Sequence, residues 1–185
     1  MSAFQALEPI YRGKKFVILD TETTGISYGS EIVEIAVIDQ AGEVLINTRV
    51  KPKNAIPSDA SAIHGITGRD VEGAPTWDIV RARVRAALEG QNVVIYNMEY
   101  DTKLLRSTDG VYKIKDQPWD MASYYCAMLA YSEFRKEWND YRQSWKWHKL
   151  TAAMWQQGLA VKDAHGALGD CRMTLALLNK MYETK

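Results

Sequence analysis

Three apolar runs rich in β-branched residues, close together near the start of the chain, restrict its fold more than any other feature. Residues 16–19 (FVIL) lead into Asp20-Thr-Glu-Thr-Thr-Gly25, the pattern of a strand that ends in a glycine-assisted turn. Residues 32–38 are nearly continuous in apolar and β-branched side chains, and residues 44–50 alternate as a half-buried strand would. Short polar connections join the three, which predicts an antiparallel meander.

After Pro75 the hydrophobic period changes. Trp77, Val80, Val84, Ala87 and Leu88 share one helical face and Arg81, Arg83 and Arg85 lie off it, so a surface helix with a solvated arginine face is expected, stopped at Gly90. Residues 93–96 then read as a buried strand and residues 100–106 as the next helix. Residues 121–131 and 150–157 are further helical candidates. Met173, Leu177, Leu178 and Met181 recur at helical spacing behind Asp170, which is expected to cap the last helix or sit in its first turn. A strand-helix alternation after a meander favours an α/β fold, a mixed sheet flanked by helices.

At 185 residues the chain suits one domain, with residues 1–14 as an N-terminal extension. Acidic and basic residues balance at 23 each, so no overall positive field advertises a polyanionic ligand. Bound metal cations would supply charge that such a count does not register. Cys126 and Cys171 lie in apolar patterns without zinc-ligand spacing and read as reduced core residues. No leader pattern and no long apolar run is present, so a cytoplasmic protein that meets no membrane is expected.

The chemistry lies in scattered acids. In Asp20-x-Glu22 a strand would put both carboxylates on one face, where their repulsion asks for a hard cation such as Mg²⁺ or Mn²⁺. Asp101 follows the strand at 93–96 and enters a helix. His165 stands on a glycine-flanked loop five residues before Asp170, where Gly166 and Gly169 would let the backbone approach a ligand. Taken singly, the first pair reads as a solvated turn, the two later aspartates as caps and the histidine as a loop residue. Glu34, inside an apolar strand, is either a supporting carboxylate or a sheet-edge residue.

Together, ILDTETTG (18–25), NMEYD (97–101) and HGALGD (165–170) resemble the three motifs of the DEDD exonuclease superfamily, in their order and approximate spacing. The histidine five residues before the last aspartate, with Gly166 where the tyrosine branch has its tyrosine, resembles the DEDDh, or DnaQ-like, branch. That branch includes the epsilon proofreading subunit and ribonuclease T. His64-Gly-Ile-Thr67 looks like the nucleotide-contacting loop of many members. The likeness spans residues 16 to about 180.

The resemblance implies a ribonuclease H-like, five-stranded mixed sheet whose first three strands are antiparallel. It implies 3′-to-5′ exonuclease activity with two divalent cations, Mg²⁺ or Mn²⁺, held by Asp20, Glu22, Asp101 and Asp170, and His165 as general base. Thr23, His64 and Asn97 would line the terminal nucleotide. The expected partners are nucleic acid 3′ ends, single-stranded DNA ahead of RNA, with a polymerase or replication partner as a further candidate. One departure, Tyr96-Asn97 where many relatives have His-Asn, touches no ligand.

One stretch lies outside these motifs. Phe134, Trp138, Tyr141 and Trp145 recur at helical spacing with Arg135, Lys136, Arg142 and Lys146 between them, so residues 132–149 read as an aromatic and basic helical insertion. Its stripe is either buried against the domain or free to stack on single-stranded nucleic acid or a protein. Burial is the expectation, because an aromatic stripe at helical period is first a core signature.

Overall fold

The structure, a computed structural model, describes residues 1–13, 15–115, 118–119 and 122–183. Its centre is a five-stranded sheet in the order β3-β2-β1-β4-β5. β1 (Val17–Thr23), β2 (Ile32–Asp39) and β3 (Val44–Arg49) form the expected antiparallel meander. β4 (Asn92–Ile95) then pairs parallel to β1, and β5 (Ser123–Cys126) parallel to β4. The sheet is mixed, as the α/β reading requires.

Helices cover both faces, and the strand pleat decides which side chains meet them. Ile18, Ala36, Ile38 and Val94 point to a layer made of α1 (Ala3–Arg12), α5 (Ala127–Arg135), α6 (Leu150–Gln156) and α7 (Ala167–Glu183). Val17, Leu19, Ile35, Val37, Val93 and Ile95 point the other way, to α3 (Trp77–Leu88) and α4 (Met98–Val111). α2 (Ser58–His64) and a 3₁₀ turn at Gly68–Val71 lie between β3 and α3. Among the described residues no helix is long and apolar enough to cross a membrane.

Within the extension at 1–14, α1 covers Ala3–Arg12. Ser2 and Gln5 form a reciprocal capping box, and the Glu133 carboxylate accepts from the Ala3 and Phe4 amides at 3.0 and 2.8 Å. Phe4 and Tyr11 stack on Tyr182 of α7, with ring centroids 4.7 and 5.1 Å apart.

The structure corrects four expectations. Residues 123–126 are a strand and not the first half of a helix; the pairing of Asn92 with Ser123 through Ile95 with Cys126 overrides a short apolar spacing that fits either period. Cys126 therefore closes a strand, and both cysteines are free. Residues 132–149 are not one helix, because α5 stops at Arg135 and Lys136 turns left-handed (φ 55°). A hairpin of β6 (Trp138–Asn139) and β7 (Ser144–Trp145) follows, and its aromatics are largely exposed. Finally, Arg81 is not on a solvated face.

Arg81 lies 6 % exposed against Asp109. Its Nε and Nη2 donate to the two carboxylate oxygens at 2.8 and 2.9 Å, while the indoles of Trp77 and Trp119 donate to the same two oxygens at 2.7 and 2.8 Å. Four donors satisfy one buried anion, so the ion pair is compensated on every side. Truncating one partner strands the other charge: Arg81→Ala is expected to cost about 3–5 kcal/mol. That lowers the melting temperature by roughly 10 °C for a chain of this size, and calorimetry checks it; a shift under about 2 °C would contradict the network's role.

Candidate active site

The pleat that sorts the core also sorts the acids. Asp20 and Glu22 have the parity of Ile18 and face the α7 layer, whereas Thr21 and Thr23 have the parity of Leu19 and face the α4 layer. Parallel pairing of Val17 with Val93 and Ile18 with Val94 brings the end of β1 level with the start of α4. Asp101, in the first turn of α4, is 4 % exposed there. The Thr21 hydroxyl donates to its Oδ1 at 2.5 Å.

From the other layer α7 delivers Asp170. Carboxylate oxygens of Asp20, Glu22 and Asp170 lie within 4.8 Å of one another, a grouping able to hold a metal ion. Asp101 stands outside that cluster but acts on Asp20 and Glu22 electrostatically. α7 begins at Ala167, so Asp170 occupies its first turn and is not its cap. The Glu34 carboxylate, next to Glu22 across the β1–β2 ladder, accepts from the Ala167 amide at 2.9 Å and so holds the amino end of α7 against the sheet.

His165 lies one turn before Asp170, exposed and left-handed at φ 64°, and its amide donates to Asp170 Oδ1 at 3.2 Å. A non-glycine residue held there carries strain of about 1–2 kcal/mol. Gly169 explains how the loop is held: a Cβ at that position would collide with the Asp163 carbonyl, so glycine lets the loop lie directly on the helix. The expectation that Gly169 serves close approach to a ligand is corrected, since its free space is filled by Asp163. A Cβ at Gly166 would meet only ordinary contacts.

Thr23 is gripped from two sides. His64 Nδ1 accepts from the Ile66 amide at 3.0 Å, which leaves the proton on Nε2 to be donated to the Thr23 carbonyl at 3.1 Å. The Tyr100 hydroxyl lies 2.9 Å from the Thr23 hydroxyl and 3.0 Å from the Gly25 carbonyl. Asn97, exposed, sits at the cap position of α4 without a side-chain capping bond. The sequence reading assigned no role to Thr21 or Tyr100. Their partners lie 80 and 77 residues away, and no local spacing signals such a contact.

Crowding of like charges dominates the electrostatics. Burial, then Asp101, Asp170, Glu22 and Glu34, push the Asp20 carboxyl well above the usual carboxylate range. Burial, then Asp170, Glu34 and Asp101, push Glu22 up to about 8. Burial also raises Asp101 and Asp170, opposed by hydrogen bonds from Thr21 and from the His165 amide respectively. Two unit charges separated by the cluster's 4.8 Å repel by about 3.5 kcal/mol at an effective dielectric near 20. The all-oxygen donor set suits hard divalent cations, which would relieve that repulsion.

Comparison with known proteins points to one chemistry. The family model described as "RNase_T: Exonuclease" matches residues 17–178. The chain is 42 % identical over 172 residues to an uncharacterized exonuclease, CP81, of Escherichia phage 186, covering 89 % of this chain and 87 % of that protein. It is 33 % identical over 95 residues to the DNA polymerase III subunit epsilon of Rickettsia felis, a match to 48 % of this chain and 42 % of that one. Among solved structures, exonuclease X in complex with 5′ overhanging duplex DNA superimposes with a TM-score of 0.67 and 26 % identity, covering 92 % of each chain.

A carboxylate whose folded pKa is raised binds its proton more tightly in the folded state than in the unfolded one. Its favourable contribution is complete below about pH 4.5 and is lost as the pH rises through about 8, the range set by Glu22. In a divalent-metal chelator the protein is therefore expected to lose a few kcal/mol of stability between pH 5 and 8. Glu22→Gln should flatten that slope and melt higher than the parent at pH 8. Thermal scans at both pH values check this, and an equally steep slope in Glu22→Gln would refute the crowding.

Proposed function

The chain belongs to the RNase_T exonuclease family, and from that membership we propose that it removes nucleoside 5′-monophosphates one at a time from nucleic acid 3′ ends. The observation that carries the reading is the convergence of Asp20, Glu22 and Asp170 within 4.8 Å, with Asp101 buried beside them at the shared end of β1 and α4. A phosphodiester is anionic, so a pocket of four acids attracts it only with cations present. We assign Asp20, Glu22, Asp101 and Asp170 as ligands for two of them, Mg²⁺ or Mn²⁺. When bound, such cations supply Lewis acidity and charge neutralisation at the phosphate.

The residues of the chain do the remaining work. His165 is the general base: a histidine accepts a proton near neutral pH, which an ordinary carboxylate does poorly, and this exposed left-handed residue lies five positions before Asp170, to whose carboxylate its amide donates. The Thr23 backbone, fixed by His64 and Tyr100, meets the terminal ribose, and Asn97 lines the nucleotide site with His64. Glu34 sets the distance between α7 and the sheet. DNA is the proposed substrate, supported by the exonuclease X complex with duplex DNA. The epsilon match supports a polymerase-associated role as the second reading.

The test incubates the protein and Mg²⁺ or Mn²⁺ with 5′-labelled DNA and RNA, single- and double-stranded. A ladder shortening from the 3′ side is expected; immediate release of the labelled terminal nucleotide, or intact strands, would overturn the polarity or the activity. Asp20→Ala should abolish the ladder in a folded protein. His165→Ala should slow hydrolysis by about 10²- to 10⁴-fold and recover in part at higher pH, where hydroxide replaces the base. Unchanged rates in His165→Ala would remove it from the mechanism.

A further inference from the structure

The segment after α5 does not behave as a core element. Trp138, Tyr141 and Trp147 are 48, 95 and 54 % exposed, and Arg135, Lys136, Arg142, Lys146 and Lys149 are exposed among them. Over residues 135–149 five basic side chains stand against two acidic ones, in a chain whose overall charge is zero. Large aromatic surfaces left in water beside surplus positive charge are uncommon on a protein with no use for them.

This surface is held in shape. Two residue pairs of ladder would not keep a hairpin folded in water. Trp138 and Trp145 pack edge to face at 5.2 Å and 82°, and Lys146 pairs with Glu137 at 2.7 Å. The Asn139 side chain caps the turn through the Arg142 amide at 3.0 Å. Beneath it, His148 packs against Tyr131, and its carbonyl accepts from the Tyr96 hydroxyl at 2.8 Å. Tyr96 immediately follows β4 and precedes Asn97, so the base of the hairpin is tied to the end of the sheet where the acids gather.

We propose that the hairpin 138–145, with the segment to Lys149, is a docking surface for single-stranded nucleic acid that holds the body of the strand whose 3′ end is being cut. Charge complementarity argues for this occupant. A phosphate backbone is satisfied by Arg142, Lys149 and their neighbours, and every base has a face that stacks on Trp138, Tyr141 or Trp147 whatever its sequence. The Arg142 guanidinium already lies 5.8 Å over the Trp147 ring, ready to meet a phosphate beside a stacked base. The inference rests on the exonuclease reading for the direction of the strand and not for the surface itself.

The experiment titrates the full chain, in EDTA, with (dT)20 and (rU)20 while following tryptophan fluorescence, and compares the double variant Tyr141→Ala/Trp147→Ala, which leaves the Trp138–Trp145 pair intact. Quenching that saturates in the parent and weakens with salt is expected, with affinity about tenfold lower or worse in the variant at an unchanged melting temperature. In Mg²⁺, the ratio of kcat/KM on the 20-mer to that on a trinucleotide should fall by a similar factor, whereas misfolding would lower both rates together. Arg142→Gln should flatten the salt dependence. Equal affinity in parent and variant, or no quenching by either polymer, would overturn the proposal. If neither length is hydrolysed but the aromatic-dependent binding persists, the exonuclease assignment fails and the docking surface stands.

Discussion

Parallel pairing of β4 with β1 is the constraint on which the site depends. It is a short contact, with registered pairs at Val17–Val93 and Ile18–Val94, but it sets the carboxyl end of the first strand beside the amino end of α4. Without it Asp101 would sit in a helix remote from Asp20 and Glu22, which would keep only α7 and Asp170 against them. With it, acids about 80 residues apart are confined at one edge of the sheet. Their repulsion, several kcal/mol by the distances involved, falls on the surrounding fold.

The fold meets that repulsion through groups that surround the four acids. Thr21 turns a hydroxyl to Asp101 from the opposite face of β1, Glu34 anchors the amino end of α7, and the His165 amide bonds Asp170. Each adds a hydrogen bond to a group whose charged form is otherwise disfavoured or fixes the element that carries it. These contacts fix the carboxylates on elements that the core already holds in place. Its strain is concentrated in the left-handed loop at His165, where Gly169 allows the backbone of Asp163 to lie against the helix.

Much of this was legible in the string where the signal was local. The three-strand meander, the helices around α3, α4, α6 and α7, and the i, i+2 placement of Asp20 and Glu22 follow from periodicity, and all appear in the structure. Of the acids in the three motifs, the fold brings Asp20, Glu22 and Asp170 within 4.8 Å of one another. What was not legible depended on partners far away in sequence. Arg81 reads as one of three solvated arginines until Asp109 and two indoles are placed around it. Ser123–Cys126 reads as helix until β4 offers it a parallel edge. Tyr100 carries no signal at all until its hydroxyl meets the turn at Gly25.

The aromatic stripe at 134–145 shows why period alone misleads. Spacings of four, three and four fit a helix, and they fit equally well a chain that turns out of α5 at Lys136 and returns through a four-residue loop, placing Trp138 across from Trp145. In the helical arrangement the stripe would need an apolar partner and would disappear into the core. As observed, Phe134 at the end of α5 packs against the core, Trp145 is half-buried against Trp138, and Trp138 and Tyr141 are exposed among cations. A neutral chain with an acidic pocket has little long-range attraction for a polyanion, so the positive charge it does possess matters most where it is concentrated. The proposed docking surface places that charge and the exposed rings together, on an element tied to the end of β4 and apart from the acidic pocket.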